Sequence, residues 1–183
     1  MKGILLNNLG SPDSTETKDV KKYLGEFLMD ERVIDLQFWT RWILIKGIIL
    51  KIRPKKSGSA YKKIWWKEGS PLVVISQRFT KKVIEKTDIP VELAMRYGSM
   101  SMDQGIENLI NKGVTKIFLA PLYPHYAMSS YETVVTQAEE ILSKKYPHVK
   151  LDTLPPFYNK PDYIKAMSDN ICLLYTSDAA DDS

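Results

Sequence analysis

The most constraining feature of this sequence is residues 114–122 (VTKIFLAPL), a short run that is almost continuously apolar. Such a run is typical of a strand buried on both faces, and strands of that kind belong to parallel sheets covered by helices on each side. Residues 2–8, 91–97 and 149–154 are three further strand candidates. Helical periodicity fills the segments between them. The alternation predicts an α/β layered fold with a parallel sheet.

Ligands of parallel sheets bind beyond the carboxyl ends of the strands. Three predicted loops lie there, residues 7–14, 96–101 and 123–130. Arg96 begins the second loop and offers a bidentate partner for a carboxylate, with a structural ion pair as the alternative. His125 lies in the third loop and is a candidate proton acceptor or weak metal ligand, the alternative being a histidine bonded to backbone.

Residues 36–67 carry nine Lys or Arg and no acidic residue, and residues 36–52 form the longest apolar stretch. Because three cations interrupt that stretch, it is too polar to span a membrane, which takes about 20 mostly uncharged residues. The pattern fits a helix lying on a membrane surface, a site for single-stranded nucleic acid, a pocket for a flat ligand with carboxylate arms, or ordinary core with a charged face. Pro54 predicts that the helix over residues 40–51 ends before it.

Composition excludes several classes of protein. The chain has 183 residues, 44% hydrophobic and 26% charged, which is an ordinary globular balance rather than a disordered one. With Cys172 as its one cysteine, the chain forms no internal disulfide, zinc finger or iron–sulfur cluster of its own. The sequence contains no P-loop, nucleophile elbow or HExxH motif. The N-terminus is predicted to be a strand rather than a signal peptide, which favours a cytoplasmic location.

Residues 172–183 (CLLYTSDAADDS) differ from everything before them. A back-translation resembles a transposon-end sequencing adapter, so we expect an artefactual, disordered tail that interrupts a helix over residues 162–171. The alternative is a genuine short C-terminal tail. This hypothesis divides the chain into a lobe over residues 1–171 and a tail over residues 172–183.

Several short blocks together resemble the ferrochelatases. They occur in the order and spacing of that family across residues 1–171, although each is weak alone. The blocks are NLGSPD at 8–13, Arg41-Trp42, Arg53-Pro54, Ala60-Tyr61, GSPL at 69–72, MRYG at 95–98 and PLYPHYA at 121–127.

The resemblance implies a Rossmann-like three-layer lobe, the first of two similar lobes with a porphyrin between them. It implies an enzyme of haem biosynthesis that inserts Fe²⁺ into protoporphyrin IX, with ferrous iron as substrate and no organic cofactor. The family's metal-handling histidine and glutamate belong to the second lobe, as would any iron–sulfur cluster, and neither block is present here. We therefore expect no catalytic residue in this chain and no activity from it alone.

The resemblance also supplies site residues. His125 matches a loop position that varies between histidine and glutamine, which makes it an outer metal ligand at most. Residues 36–52 are expected to contact a membrane peripherally, and no nucleic acid is expected as a partner. The alternatives are a chelatase for another tetrapyrrole or a binding module without catalysis. The porphyrin-binding candidates are Leu9, Asp13, Arg53, Tyr61, Arg96, Tyr97 and Tyr126.

Overall fold

The computed structural model describes the backbone of residues 1–181 and the side chains of residues 1–172. A four-stranded sheet lies at its centre, with strand order β2-β1-β3-β4 and all pairs parallel. The predicted α/β fold with a parallel sheet is thereby confirmed. The strands are β1 (Lys2–Gly10), β2 (Val91–Tyr97), β3 (Lys116–Pro121) and β4 (Lys150–Thr153).

Helices cover both faces of this sheet. Leu5 and Leu6 are consecutive on β1, so their side chains point to opposite faces, and both are buried. Leu5 packs in a core cluster with residues of α5 and α6, and Leu6 packs in a second cluster that includes Val83 of α4. The lobe therefore has three layers. The helices are α1 (Thr17–Met29), α2 (Phe38–Trp42), α3 (Leu50–Ile64), α4 (Pro71–Ile84), α5 (Met102–Asn111), α6 (Thr133–Lys145) and α7 (Pro161–Asp181), with π-helices at Ile43–Ile49 and Met128–Glu132.

A third cluster lies where α1 and α3 pack at the carboxyl end of the sheet. Val20 and Leu24 of α1 meet Leu50 of α3, and Tyr97 at the end of β2 completes the buried set. This packing places α1 and α3 beside the loops that follow β1 and β2. The α1–α3 cluster thus covers one side of the carboxyl end of the sheet.

The segment from Phe38 to Ile64 is continuously helical, which corrects the prediction that Pro54 ends the helix. A proline clashes with the carbonyl four residues earlier, here that of Leu50. Leu50 has ψ −5°, away from the regular helical value, and it directly follows the wide turns of the π-helix Ile43–Ile49. This local departure accommodates the proline, and the helix continues.

The final helix also extends further than the sequence predicts. Its described backbone runs from Pro161 to Asp181, past the expected end at residue 171. The side chains of residues 173–183 lie outside the described part of the chain. The adapter origin and the disorder of residues 172–183 therefore stay predictions.

Candidate functional site

A cavity of about 300 Å³ lies at the carboxyl ends of β1 and β2. The loop after β1, the loop after β2, the end of α3 and the first turns of α4 form its walls. This is the location that a parallel sheet predicts for a ligand. The lining residues are Ser11, Pro12, Asp13, Trp65, Ser70, Val73, Gln77, Met95, Tyr97, Ser99 and Met100.

Two glycines allow the loops after β1 and β2 to approach each other. Gly10 has φ +97°, and a Cβ built there would lie 2.0 Å from the carbonyl oxygen of Tyr97. Gly98 also has φ +97°, and its Cβ would lie 2.9 Å from the carbonyl oxygen of Ser11. Because other residues rarely adopt this conformation and would collide here, glycine is required at both positions. The reciprocal contacts fix the mouth of the cavity.

The polar lining of the cavity is only partly satisfied by the protein. The Ser11 hydroxyl is buried and has no hydrogen-bond partner among the described residues. On α4, the neighbouring wall, the Ser76 hydroxyl accepts from Asn8 Nδ2 at 3.1 Å and donates to the carbonyl of Leu72. A buried hydroxyl without a partner is costly, so the free Ser11 Oγ suits a hydrogen bond to a bound molecule.

Asp30, the residue just after α1, hydrogen-bonds the residues at the end of β2, outside the cavity. Its Oδ2 accepts hydrogen bonds from the Tyr97 hydroxyl at 2.8 Å, from the Thr133 hydroxyl at 2.6 Å and from the Arg96 guanidinium. Its Oδ1 accepts from the backbone N–H of Arg32 at 2.8 Å. The Asp30 side chain is 6% exposed. One carboxylate therefore joins the ends of α1 and β2 to the start of α6.

The environment shifts the ionisation of these groups in opposite directions. Burial tends to raise the pKa of Asp30, but the hydrogen bonds from Thr133, Arg32 and Tyr97, together with the Arg96 charge, outweigh it and lower the pKa. Burial raises the pKa of Tyr97 to about 12, although the Arg96 charge opposes this. At neutral pH the cluster is a carboxylate facing a neutral phenol and a guanidinium.

Arg96 is consequently committed within the protein. Its Nε donates to Thr133 Oγ1 at 2.8 Å, its Nη2 pairs with Asp30, and its Cζ lies 4.4 Å from the centre of the Tyr97 ring. Of the two partners considered for Arg96, a ligand carboxylate and a structural ion pair, the structure contains the ion pair. Arg96 lines a separate open groove with Asp30 and Arg32, outside the cavity.

The structure brings together some of the predicted site residues. Asp13 and Tyr97 line the cavity, and Tyr61 packs edge-to-face on the lining residue Trp65, with ring centres 6.0 Å apart. Leu9 is half-buried and packs against the α1–α3 cluster below. Asp13 and Tyr97 therefore line the cavity directly, Tyr61 contacts a third lining residue, and Leu9 lies in the neighbouring cluster.

Three other candidates lie away from it. Arg53 is exposed on α3, and Tyr126 is exposed and hydrogen-bonds Glu132. His125 is exposed and stacks on Tyr158, with ring centres 5.3 Å apart. Within the described residues, no group of three or more His, Cys, Asp or Glu side chains could hold a metal ion.

Sequence analysis did not identify Asp30, Ser70 or Gln77 as site residues. Ser70 lies in the GSPL block at 69–72, which contributed to the family resemblance but received no role in binding. Asp30 ends a helix in a sequence rich in charges, and no motif distinguishes it there. Its importance depends on partners 66 to 103 residues away.

The layered α/β lobe with a cavity at the carboxyl ends of its parallel strands belongs to the Rossmann-like class of α/β folds. The family model for ferrochelatase matches residues 1–181. The chain belongs to the ferrochelatase family.

Relatives agree with this assignment. The chain is similar to ferrochelatases of Stutzerimonas stutzeri (47% identical), Pseudomonas fluorescens (48%) and Ectopseudomonas mendocina (46%). Each match covers 165 residues, which is 90% of this chain and 48% of the relative. The chain therefore spans about half the length of the curated relatives it matches.

Proposed function

We propose that this chain is the N-terminal lobe of an enzyme that inserts Fe²⁺ into protoporphyrin IX to form haem. The observation that carries the proposal is the ferrochelatase match over residues 1–181, combined with coverage of about half of each relative. The fold supports it, since the cavity lies at the carboxyl ends of parallel strands, where sheets of this kind bind ligands. A porphyrin held between two lobes needs only one wall from each.

The chemistry explains why one lobe is insufficient. Inserting Fe²⁺ removes two pyrrole N–H protons, so the enzyme must supply a proton acceptor and a route for the metal. Binding that bends the macrocycle points its nitrogen lone pairs at the incoming ion and favours the transition state. The described residues hold no cluster suited to the metal. We assign metal handling to a second lobe and expect no insertion by this chain alone.

The first lobe contributes the pocket wall in this proposal. Trp65, which is partly exposed, presents aromatic surface to the macrocycle, and Tyr61 packs edge-to-face on it. Tyr97 is 3% exposed and lines the cavity only with the small part of its surface that is accessible. Asp13 lies at the rim, where it forms a loose ion pair with Lys22 at 3.8 Å.

Arg53 and His125 are exposed and lie outside the cavity, and the proposal gives each a role away from the macrocycle. Arg53 has no carboxylate partner among the described residues and is available to a porphyrin propionate. His125, stacked on Tyr158, serves at most as an outer metal ligand beside Tyr126.

Peripheral membrane contact belongs to the same proposal. Within the described residues no helix is long and apolar enough to cross a membrane. Large apolar side chains are nevertheless exposed along residues 36–52, with Trp39 71% exposed. A helix with this character lies in the membrane interface, where apolar porphyrins partition. The proposed location is the cytoplasm, with the protein held at the membrane surface.

A pair of measurements tests the proposal. The Soret band of protoporphyrin IX should shift on titration with the 183-residue chain, and Trp65→Ala should weaken that binding about tenfold or more by removing an aromatic wall. Phe157→Ala, which removes an aromatic residue that does not line the cavity, is the matched control.

The second measurement is of activity. If the native locus continues past codon 171 into a second lobe, that longer product should insert Fe²⁺ into the porphyrin, whereas the present chain should not. In the binding measurement, equal porphyrin affinities of Trp65→Ala and Phe157→Ala would contradict the pocket assignment. A full-length product that inserts only another metal, or uses only another tetrapyrrole, would replace the proposed substrate.

A further inference from the structure

A second concave surface, separate from the candidate site, is lined by lysines. It is an open groove of about 700 Å³ between α1 and the π-helix Ile43–Ile49, and it shares no lining residue with the cavity at β1 and β2. Lys18, Lys21 and Lys22 of α1 line one side, and Lys46 of the π-helix lines the other. Gly25, Met29 and Leu50 supply the apolar remainder of its surface.

The positive charge of this groove is largely uncompensated. Among the ion pairs of the described residues, none involves Lys18, Lys21 or Lys46, and Lys22 has only the exposed 3.8 Å contact with Asp13. Glu26 is the one acidic lining residue, and its carboxylate accepts the backbone N–H of Gly98 at 2.9 Å, beyond the groove. Four ammonium groups around one carboxylate create a positive local potential.

Lys46 lies over Gly25 of α1 in the groove. A Cβ built on Gly25 would lie 3.7 Å from Lys46 Nζ and 3.4 Å from a methyl carbon of Leu50. The Lys46 side chain therefore crosses the surface of α1 and brings its ammonium toward the three lysines of that helix. Without this contact the four charges would belong to two separate surfaces.

An exposed apolar surface adjoins the groove on the same segment. Ile43 precedes Lys46 on the π-helix, is 59% exposed and lies against Gly47. We call this surface the apolar ridge; its exposed members are Trp39, Trp42, Ile43, Ile48 and Ile52. Cations beside exposed Trp and Ile side chains match the boundary between the headgroups and acyl chains of an anionic membrane.

We propose that the lysine groove binds the phosphate headgroups of anionic glycerophospholipids while the apolar ridge enters the membrane interface. The inference rests on the proposed peripheral membrane contact and deepens it by naming the lipid class. A soluble phosphate would use the ammonium groups but leave the adjoining ridge in water, so the combined surface favours lipid. Each lysine near an anionic leaflet raises partitioning roughly fivefold.

Vesicle co-sedimentation with the 183-residue chain tests this proposal. The two compositions are phosphatidylcholine alone and phosphatidylcholine with phosphatidylglycerol at about 3:1. The chain should bind the anionic vesicles at least about tenfold more strongly, and Lys21→Gln/Lys46→Gln should reduce that binding by roughly 25-fold. Lys81→Gln/Lys82→Gln on α4 makes the same charge change at exposed positions outside the groove and should change binding less than about threefold.

If the two double variants lose vesicle binding equally, net charge alone attracts the chain to the vesicles, and the groove is not a headgroup site. Equal binding to the two vesicle compositions would overturn the lipid class. Displacement of the chain from vesicles by millimolar glycerol phosphate at constant ionic strength would assign the groove to soluble phosphates instead. Trp39→Ser should weaken binding to both compositions, and its failure to do so would remove the apolar ridge from the contact.

A porphyrin titration without vesicles separates this inference from the enzymatic proposal. The lysine variants should shift the Soret band as the unmodified chain does, because their side chains do not line the cavity. Loss of porphyrin binding in Lys21→Gln/Lys46→Gln would reassign the groove to the substrate. If the vesicle results are as expected but neither the unmodified chain nor any variant binds porphyrin, the lipid groove is supported and the porphyrin pocket is refuted.

Discussion

The hydroxyl of Tyr97 donates a 2.8 Å hydrogen bond to Asp30 Oδ2, linking the end of β2 to the residue that follows α1, 67 positions earlier. The same oxygen accepts from Arg96 and Thr133. Tyr97 also lines the candidate cavity. The position of one cavity wall therefore depends on a buried charge that does not itself reach the cavity.

Asp30→Asn should destabilise the lobe by about 3 kcal/mol, because it leaves the largely buried Arg96 guanidinium without its counter-charge. Urea unfolding followed by circular dichroism measures the change in free energy of unfolding. Asp88→Asn, at an exposed turn, is the control and should shift it by less than about 0.5 kcal/mol. Equal stability of the two variants would mean that the Asp30 cluster contributes nothing net.

The same carboxylate should make stability depend on acidic pH. Its folded-state pKa is lowered from the ordinary value of 3.8, so its contribution is complete above that value and is lost as the pH falls through the lowered pKa. The difference in unfolding free energy between the unmodified chain and Asp30→Asn should be constant near neutrality and shrink in strong acid. A difference that instead grows on acidification would contradict the direction of the pKa shift.

Gly10→Ala should be far more damaging than Gly113→Ala. Both glycines have positive φ, +97° and +81°, so each alanine costs about 1–2 kcal/mol of backbone strain. At Gly10 the new Cβ would also lie 2.0 Å from the Tyr97 carbonyl oxygen, whereas nothing lies within 4 Å at Gly113. The difference in melting temperature between the two variants measures the cost of the collision beyond that of backbone strain. Similar melting temperatures would refute the close approach of the loops that follow β1 and β2.

The buried Tyr23 and Tyr97 and the partly buried Tyr123 should resist ionisation in alkali. Burial raises the pKa of Tyr23, Tyr97 and Tyr123, and that of Tyr97 reaches about 12. Because the neutral phenol is favoured in the folded chain, this stability is complete below the ordinary pKa of 10.0 and is lost as the pH rises through the raised values.

Absorbance at the phenolate band should therefore show a late class among the ten tyrosines, appearing together with unfolding. In concentrated guanidinium all of them should ionise in one step near their ordinary pKa. Tyr123→Phe should reduce the late class by one residue. A folded chain whose tyrosines all titrate together would contradict the buried cluster.

The strands were the most predictable part of the fold. The apolar run at 114–122 contains β3, and the candidates at 2–8, 91–97 and 149–154 overlap β1, β2 and β4. Central strands need apolar side chains on both faces, so local sequence carries the signal directly. Two of the three predicted loops, 7–14 and 96–101, line the cavity, whereas the third, 123–130, contributes no lining residue.

The helical segment beside the cavity was less predictable, because its conformation depends on tertiary packing. Arg41 looked like one of the charges that interrupt an apolar surface. In the structure it is buried, and its Nη1 donates to the carbonyls of Ile34 and Leu36 at 3.2 and 2.8 Å. No periodicity indicates that an arginine will satisfy backbone carbonyls in a loop that precedes its own helix.

The side-chain networks could not be predicted from the sequence either, because they too depend on tertiary packing. The commitment of Arg96 to Asp30 depends on a contact across 66 residues, and the lysine groove depends on Lys46 lying over Gly25, 21 residues earlier in the chain. Each residue is ordinary within its own segment. Their roles arise only when the sheet and helices place them together.

The strand order has a consequence for synthesis on the ribosome. β1 is made first but lies between β2 and β3, which begin at Val91 and Lys116. The nascent chain must therefore hold an apolar strand without neighbours while more than half of its length emerges, and such unpaired edges are prone to misassociation. The sheet of this lobe cannot begin to form until residues 91–97 have been synthesised.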